Sequence, residues 1–459
     1  MIIKNHQSDE AASQGELFKK GKRSMTAAER VSQLQEKLYG KAKQERKYKF
    51  YILYDKMYIG YMLEEAYKQV KQKDGAAGVD GQKFEDIEKQ GLDKFLKELG
   101  EDLHKRTYRP SAVKRIWIDK ADGSKRPIGM PTIRDKIAQM VCKMIIEPIF
   151  EADFEDCSYG FRPNRSSKDA MKAVKEHLQS GKTEVLDADL SAYFDTIPHD
   201  KLQIVLEQRI SDPRMIQLIN LWLKSPVYED GEYTGGRKQK TGCPQGGVIS
   251  PVLANIYMHL VDRIVNDTRK LFYQSGIKIV RYADDFVLMG KSITQEAEDK
   301  LRQVLDRMGL KLNENKTRKV KAEKTGFNFL GFTVRYDRDI KGRSKGYWNI
   351  IPSKKSEKKI REKVHDFLGK SGHWAPRLVT QGLNALIRGW LNYYEVPGVS
   401  YPAMSKRRLR FYLYERLYRY YNRKSQRRSR LYGQQAFEKL VYKYGLIDPT
   451  KYSVRNSMR

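Results

Sequence analysis

The stretch Arg281-Tyr-Ala-Asp-Asp-Phe-Val-Leu-Met289 decides how this chain folds. Two adjacent acids, Asp284 and Asp285, break an otherwise apolar run. Ile277, Ile279, Val280 and Tyr282 lead in; Phe286, Val287, Leu288 and Met289 lead out. Short apolar runs around an acidic break predict a β-hairpin with the carboxylates at its turn. Two charges between buried strands are costly unless a cation neutralises them. The turn is therefore either an exposed acidic loop or one side of a metal site, and a second acidic element decides between them.

That element lies upstream. Glu184-Val-Leu-Asp-Ala-Asp-Leu190 reads as a central strand ending in acids, with Asp187 and Asp189 on one face because side chains alternate. By itself Asp189 is a strand-end cap. Beside Asp284 and Asp285 it becomes a ligand, since three carboxylates within about 4 Å repel strongly unless a metal sits among them. Hard cations such as Mg²⁺ take oxygen ligands. Two Mg²⁺ ions holding the attacking and leaving oxygens of a phosphoryl group is the chemistry such a cluster suits. Thr241-Gly-Cys-Pro-Gln-Gly-Gly-Val-Ile-Ser-Pro251 lies between the two acidic elements. Its proline and glycines bring backbone close to something flat or phosphorylated, or simply form a loop before a helix. Gln245 can hydrogen-bond a sugar or base.

Composition sets the class of partner. The 459 residues are enough for two or three domains, and 40 % apolar residues supply a core. The formal net charge of +32, from 89 Lys+Arg against 57 Asp+Glu, exceeds what solubility needs and points to a polyanion. A basic membrane-surface protein is the alternative, but neither a lipidation signal nor a long amphipathic anchor occurs. No apolar run reaches about 18 residues, so no membrane-spanning helix is expected. The N-terminus has no signal-peptide core. Cys142, Cys157 and Cys243 form no CxxC pair, which argues against a cysteine zinc site and fits a reducing cytoplasm. Cys243 reads as a structural thiol.

Along the chain, residues 1–25 are polar, with mobility expected. Thr26 and Glu29 make a capping box that opens a helix. Further helices are predicted over Tyr58–Lys73, Phe84–His104, residues 132–154, residues 200–224, Ile249–Asp267 and residues 294–308. Asp74–Gly81 is a loop by composition. Ala112–Asp119 and Lys125–Met130 form a hairpin around Asp122-Gly123. Residues 228–242 are a loop or ribbon, and Phe327–Val334 is strand-like. Beyond Pro352 the chain is helical and basic. Segregated helices and short strands predict an α+β fold.

The order of motifs resembles the group II intron-encoded reverse transcriptases, also called maturases. The matching segments are Arg126-Pro-Ile-Gly-Met-Pro-Thr132, Ser158-Tyr-Gly-Phe-Arg-Pro-Asn-Arg165, Asp189 with Phe194-Asp-Thr-Ile-Pro-His199, and Pro244-Gln-Gly246. Tyr282-Ala-Asp-Asp285, Gly309-Leu-Lys-Leu-Asn313, Asn315-Lys-Thr317 and Phe329-Leu-Gly-Phe332 complete the series. The likeness covers roughly residues 60–445. It implies a right-hand polymerase: a polar extension at 1–45, fingers at 46–185 and a palm with an antiparallel sheet at 186–350. A helical thumb or maturase domain at 351–404 and a basic nucleic-acid-binding segment at 405–459 would follow.

By that resemblance Asp189, Asp284 and Asp285 are catalytic and hold two Mg²⁺ ions. Phe194 lies under the sugar of the incoming deoxynucleoside triphosphate, where its ring would clash with a 2′-hydroxyl; a core phenylalanine is the alternative. Lys120, Arg126, Gln245 and Lys316 contact the nucleotide, Arg being suited to bidentate phosphate contact. His199 reads as a structural turn histidine.

Leu383, Leu386, Ile387, Trp390, Leu391 and Tyr394 recur at helical spacing and belong to a core, leaving Arg388 and Asn392 free for RNA. From Lys406 to Arg430 there are eleven Lys or Arg and one acid, Glu415, interleaved with tyrosines. Lys406, Arg407, Arg408, Arg410, Arg416, Arg419, Arg423, Lys424, Arg427 and Arg428 are the nucleic-acid contacts expected, cations on phosphates and rings on bases. Residues 406–459 contain no Cys and no His. The cysteine-rich HNH endonuclease of many relatives is therefore not expected, nor is cleavage of the second DNA strand.

The resemblance implies an RNA-directed DNA polymerase that binds its intron RNA, assists splicing and enters target DNA by target-primed reverse transcription. It would act on an RNA template and primer in a bacterial cytoplasm, associated with the nucleoid and no membrane. The oligomeric state is not readable. A domesticated relative in defence or repair, a splicing-only RNA-binding maturase and an RNA-dependent RNA polymerase are the rival functions. The complete acid set weighs against the second rival and Phe194 against the third.

Overall fold

The computed structural model describes residues 25–73, 75–119, 125–236, 238–338, 346–423 and 431–454. The chain divides into two compact units. One comprises Met1–Ile116, Met130–Ala152 and Arg209–Thr234; the other comprises Trp117–Gly129, Asp153–Gln208 and Gly235–Arg459. Helices and strands are segregated, the α+β class expected. No helix among the described residues is long and apolar enough to cross a membrane.

The first unit is built around the Ile133–Glu151 helix, buried on nearly every side from Ile133 to Phe150. A helix buried on nearly every side is central, and Ala27–Gln44 and Gly60–Gln72 pack on it. The capping box closes as expected. Glu29 N donates to Thr26 Oγ1 (3.2 Å) and Thr26 N to Glu29 Oε2 (2.8 Å). The helix expected over Phe84–His104 is two, Phe84–Gln90 and Leu92–Lys105. Gly91 between them takes φ +103°, which a right-handed helix cannot continue. Val113–Asp119 and Lys125–Met130 are the strands expected, and Val113 pairs in parallel with Val227 of Pro226–Glu229. The turn at Asp122-Gly123, like residues 1–24, lies outside the described residues. The stretch expected to be helical over residues 200–224 also splits, into His199–Leu206, which belongs to the second unit, and Pro213–Leu223. Asp212 caps the second helix and Pro213 opens it.

The second unit holds a four-stranded antiparallel sheet in the order Lys278–Tyr282, Asp285–Gly290, Glu184–Ala188, Arg318–Lys321. One face presents Val185, Val280, Val287 and Met289 to Ala170, Met171, Val174 and Leu178 of the Ser167–Gln179 helix. Sequence periodicity did not predict that helix, although Ser166 and Asp169 form a capping box at its start. The Ser250–Asn266 helix packs against the Lys278–Tyr282 strand as well. Covered strands read as continuous apolar runs, which is why Phe286–Met289 shows no alternation.

The strand expected over Phe327–Val334 is a hairpin, Phe327–Phe329 and Phe332–Arg338. Leu330 (φ +48°) and Gly331 (φ +79°) are both left-handed, the I′ turn of a two-residue connection. Gly346–Pro352 adds a third strand. Helices Lys354–Lys370, Pro376–Tyr394, Ala403–Tyr421 and Ala436–Tyr444 follow. Leu383, Ile387, Trp390, Leu391 and Tyr394 are buried on the stripe expected, each adding about 1.5–3 kcal/mol of apolar burial.

Candidate active site

Sheet register brings the acids together in the second unit. Ala188 lies opposite Phe286, so one step further along both strands sets Asp189 level with Asp285. Alternation then places Asp187, Asp189 and Asp285 on one face. Tyr282 pairs with Asp285 across the hairpin, leaving Ala283 and Asp284 as its turn. Only Ala283 is left-handed there, at φ +60°, the II′ pattern in which glycine is usual.

The carboxyls perturb one another. Desolvation, then Asp284, Asp189 and Asp187, push Asp285 up to about 7 against the pull of Lys316. Burial and Asp189 push Asp187 up to about 6, while Arg318 opposes them. Asp284 is raised as well, chiefly by burial, with Arg126 pulling it down. The segment after Gly309 backs Asp189. Asn313 N donates to the Asp189 carbonyl (2.7 Å), and Lys316 Nζ lies 3.5 Å from Asp189 Oδ2.

Among the described residues no group of three or more His, Cys, Asp or Glu is arranged to hold a metal ion. The donor set nevertheless fits a hard divalent cation. It is all oxygen, and burial together with the neighbouring carboxylates holds Asp284 and Asp285 towards protonation, a state that a cation relieves. Mg²⁺ typically uses one or two carboxylates and fills its remaining positions with water and substrate phosphate. Asp189, Asp284 and Asp285 are the residues that would hold it.

The glycine-rich loop is zipped to its neighbours. Gly242 N donates to the Ile197 carbonyl (2.8 Å), Cys243 N to that of Phe194 (2.6 Å) and Gly129 N to that of Gln245 (2.6 Å). Gly246 has φ +108°, and a Cβ there would lie 2.3 Å from the Gly129 oxygen, so no side chain fits. Arg126 Nε donates to Gln245 Oε1 (2.7 Å), joining two of the nucleotide-contact candidates. Phe194 is buried, its ring edge-on to Tyr193 at 5.4 Å. His199 is structural in its contacts: its Nε2 lies 2.7 Å from the Gly242 carbonyl. Burial pushes the Cys243 thiol up to about 12, and its Sγ faces the Ser250 carbonyl (3.9 Å). Lys120 lies outside the described residues.

The basic candidates divide by use. Lys406 is buried, donating to Glu395 (2.7 Å) and the Tyr452 carbonyl (2.9 Å). Arg410 pairs with Asp448 (3.1 Å), Arg416 contacts His365, and Asn392 accepts from the Tyr452 hydroxyl (2.6 Å). Arg388, Arg407, Arg408, Arg419 and Arg423 are exposed. Lys424, Arg427 and Arg428 lie outside the described residues.

Sequence reasoning passed over Arg281. It reads as the flank of an acidic motif, yet its guanidinium is wholly buried against Asp262. The available signal was a polar stripe, Asn255, His259, Asp262 and Asn266, at helical spacing within an otherwise apolar helix.

Residues 118–334 match the family model described as reverse transcriptase (RNA-dependent DNA polymerase). Residues 357–437 match the group II intron, maturase-specific domain. Protein YkfC of Escherichia coli is 36 % identical over 270 residues, 51 % of this chain and 70 % of YkfC. An uncharacterized 91 kDa protein in the cob intron of Schizosaccharomyces pombe is 27 % identical over 443 residues, 80 % of this chain and 54 % of that one. The group II intron-encoded protein LtrA of Lactococcus lactis subsp. cremoris is 39 % identical over 178 residues, 39 % of this chain and 29 % of LtrA. This chain thus spans less than two thirds of the length of the latter two. With a polymerase core that carries the paired acids and a maturase-specific domain behind it, the chain belongs to the group II intron-encoded reverse transcriptases, of right-hand α+β polymerase fold.

Proposed function

We propose that this chain copies RNA into DNA by nucleotidyl transfer at Asp189, Asp284 and Asp285, and that it binds a group II intron RNA, assists its splicing and supports its insertion into target DNA. The observation that carries the reading is the register, which sets Asp189 level with Asp285 beside the Asp284 turn. When bound, two Mg²⁺ ions supply charge neutralisation for the attacking and leaving oxygens. Asp189 and Asp284 are the principal ligands, with Asp285 beside them. Arg126, fixed by Gln245, meets the triphosphate with a rigid fork of donors. Lys316, near Asp189, adds positive charge where the phosphate's negative charge grows. Phe194 bounds the sugar. The exposed cations of the Ala403–Tyr421 helix bind intron RNA and DNA through phosphate.

Asp284→Ala tests the assignment. Primer extension on an RNA template should fall at least about a hundredfold, since metal stabilisation of a phosphoryl transition state is worth several kcal/mol. Intron binding and splicing by the same variant should persist, because their contacts lie on other residues. Equal loss of all three in a folded variant rejects the reading.

A further inference from the structure

The catalytic turn rests on a buried scaffold. Arg281 is 0 % exposed, and every donor of its guanidinium is engaged. Nε and Nη2 grip Asp262 at 2.8 and 2.5 Å, and Nη2 also donates to Ser158 Oγ (2.7 Å). Nη1 donates to Asn255 Oδ1 and to the carbonyl of Ala283, both at 2.9 Å. The last contact reaches the turn itself. Asn255 meanwhile donates through Nδ2 to the Gly160 carbonyl (2.7 Å). Gly160 lies against the other side of the turn, where a Cβ would come within 2.4 Å of Ala283 N and 2.8 Å of the Tyr282 carbonyl carbon. Residues 157–159 complete the cradle along the outer strand. Arg281 N donates to the Cys157 carbonyl and Tyr159 N to the Arg281 carbonyl, both at 2.9 Å.

Why so much polar machinery should be buried there is not explained by stability. A buried ion pair is often no more stabilising than apolar residues of its volume, and its contribution is to fix one geometry. Fixing geometry is what this turn needs. Ala283 holds a left-handed φ that an alanine does not prefer, and Asp284 sits next to it among carboxyls that repel it. Lysine could not replace Arg281, since a point charge cannot bridge Asp262, Ser158, Asn255 and a carbonyl at once.

We propose that Arg281, Asp262, Asn255, Ser158 and Gly160 form a positioning device that sets the place of the Asp284 turn and thereby the affinity of the acid cluster for divalent cation. This rests on the reading of Asp189, Asp284 and Asp285 as cation ligands. Second-layer partners of metal ligands are commonly worth about 10–100-fold in affinity.

The experiment measures Mn²⁺ binding to the full chain directly, by the paramagnetic signal of free Mn²⁺. Wild type is compared with Asn255→Ala, Gly160→Ala, Arg281→Lys and Asp284→Ala, with melting temperature and RNA binding recorded for each. Asn255→Ala spares the Arg281–Asp262 pair and is the variant least exposed to folding failure. It should melt within a few degrees of wild type and bind RNA equally, yet need about tenfold more Mn²⁺ to saturate. The Mg²⁺ required for half-maximal extension should rise in parallel, with most activity restored at saturation. Gly160→Ala and Arg281→Lys should show the same shift or a larger one. If Asp284→Ala abolishes Mn²⁺ binding while Asn255→Ala and Gly160→Ala leave it unchanged, the device is refuted and the ligand assignment stands. If Asp284→Ala also binds Mn²⁺ normally, the ligand assignment fails and the proposal with it.

Discussion

Phe194 is the position at which one side chain would choose the sugar. Its ring is nearly buried, and its carbonyl is tied to Cys243 N of the glycine-rich loop. A ring held there would meet a 2′-hydroxyl, whereas valine would leave room. Phe194→Val should therefore raise ribonucleotide use relative to deoxynucleotide by about tenfold or more in steady-state kinetics, the scale of a steric gate. An unchanged ratio in a folded variant would assign the ring to packing on Tyr193. His259 offers a second single-residue test. Burial pushes its imidazole down to about 4, against the opposing pull of Asp262. The folded state thus binds fewer protons than the unfolded state, whose histidine titrates near its ordinary value of about 6.5. Its contribution is complete above about pH 6.5 and is lost as pH falls towards 4, by up to about 3 kcal/mol. Melting curves from pH 7.5 to 5 should show this loss in wild type, and His259→Gln should flatten it. The candidate acids were legible in the sequence because a charge inside an apolar strand is conspicuous in one dimension. Arg281 was not, because its partners Asp262, Asn255 and Ser158 come from two distant segments and its charge looks like a solvated flank.

Among the elements, the glycine-rich loop has little tolerance for change. Gly246 combines a left-handed backbone with contact against Gly129, so Gly246→Ala must push apart the Arg126 strand and the Gln245 loop. Misplacing that pair should raise the KM for deoxynucleotide by about tenfold, a loss of about 1.4 kcal/mol in binding. Primer-extension kinetics with varied nucleotide would show it, and an unchanged KM would separate this loop from nucleotide binding. Elements were readable from sequence wherever periodicity was strong and local. Ala27–Gln44, Ser250–Asn266, Gln295–Met308 and the acidic hairpin stand close to where pattern alone puts them. Failures came at single residues with special backbone. Gly91 divides one expected helix, Asp212-Pro213 another, and Leu330-Gly331 turns one expected strand into a hairpin. Gly346–Pro352 went unread because its partner strand, not its own pattern, makes it a strand.

Over the whole molecule the excess charge of +32 demands a polyanion, but the fold decides which cations are available to one. The eleven cations from Lys406 to Arg430 suggested a uniformly basic surface. Lys406 instead closes a part-buried ion pair with Glu395, and the hydrogen bonds of Thr450, with Arg410 beside them, hold Asp448 below the usual carboxylate range. Arg407, Arg408, Arg419 and Arg423 remain exposed. Arg419 pairs with Glu415 (3.2 Å), and an exposed pair of this kind is worth at most about 1 kcal/mol and exchanges readily for phosphate; Arg408 reaches the buried Glu357 (3.4 Å), whose carboxylate Ser405 and Arg361 also hold. Phe411 and Tyr418, also exposed on the Ala403–Tyr421 helix, supply faces for stacking beside those cations. Binding should consequently be steep in salt, because each neutralised phosphate releases counterion at about 0.9 per contact on duplex DNA. Replacing Arg407, Arg408, Arg419 and Arg423 together with Gln should flatten the log–log salt slope by about 3–4 units. Replacing Lys406 alone should leave that slope unchanged and lower the melting temperature, since it strands Glu395. Filter binding of labelled duplex at several salt concentrations distinguishes the two variants. Extension on a short RNA template should survive the fourfold replacement, as Asp189, Asp284, Arg126 and Gln245 are untouched. A slope unchanged in the fourfold variant would move the nucleic-acid surface off this helix.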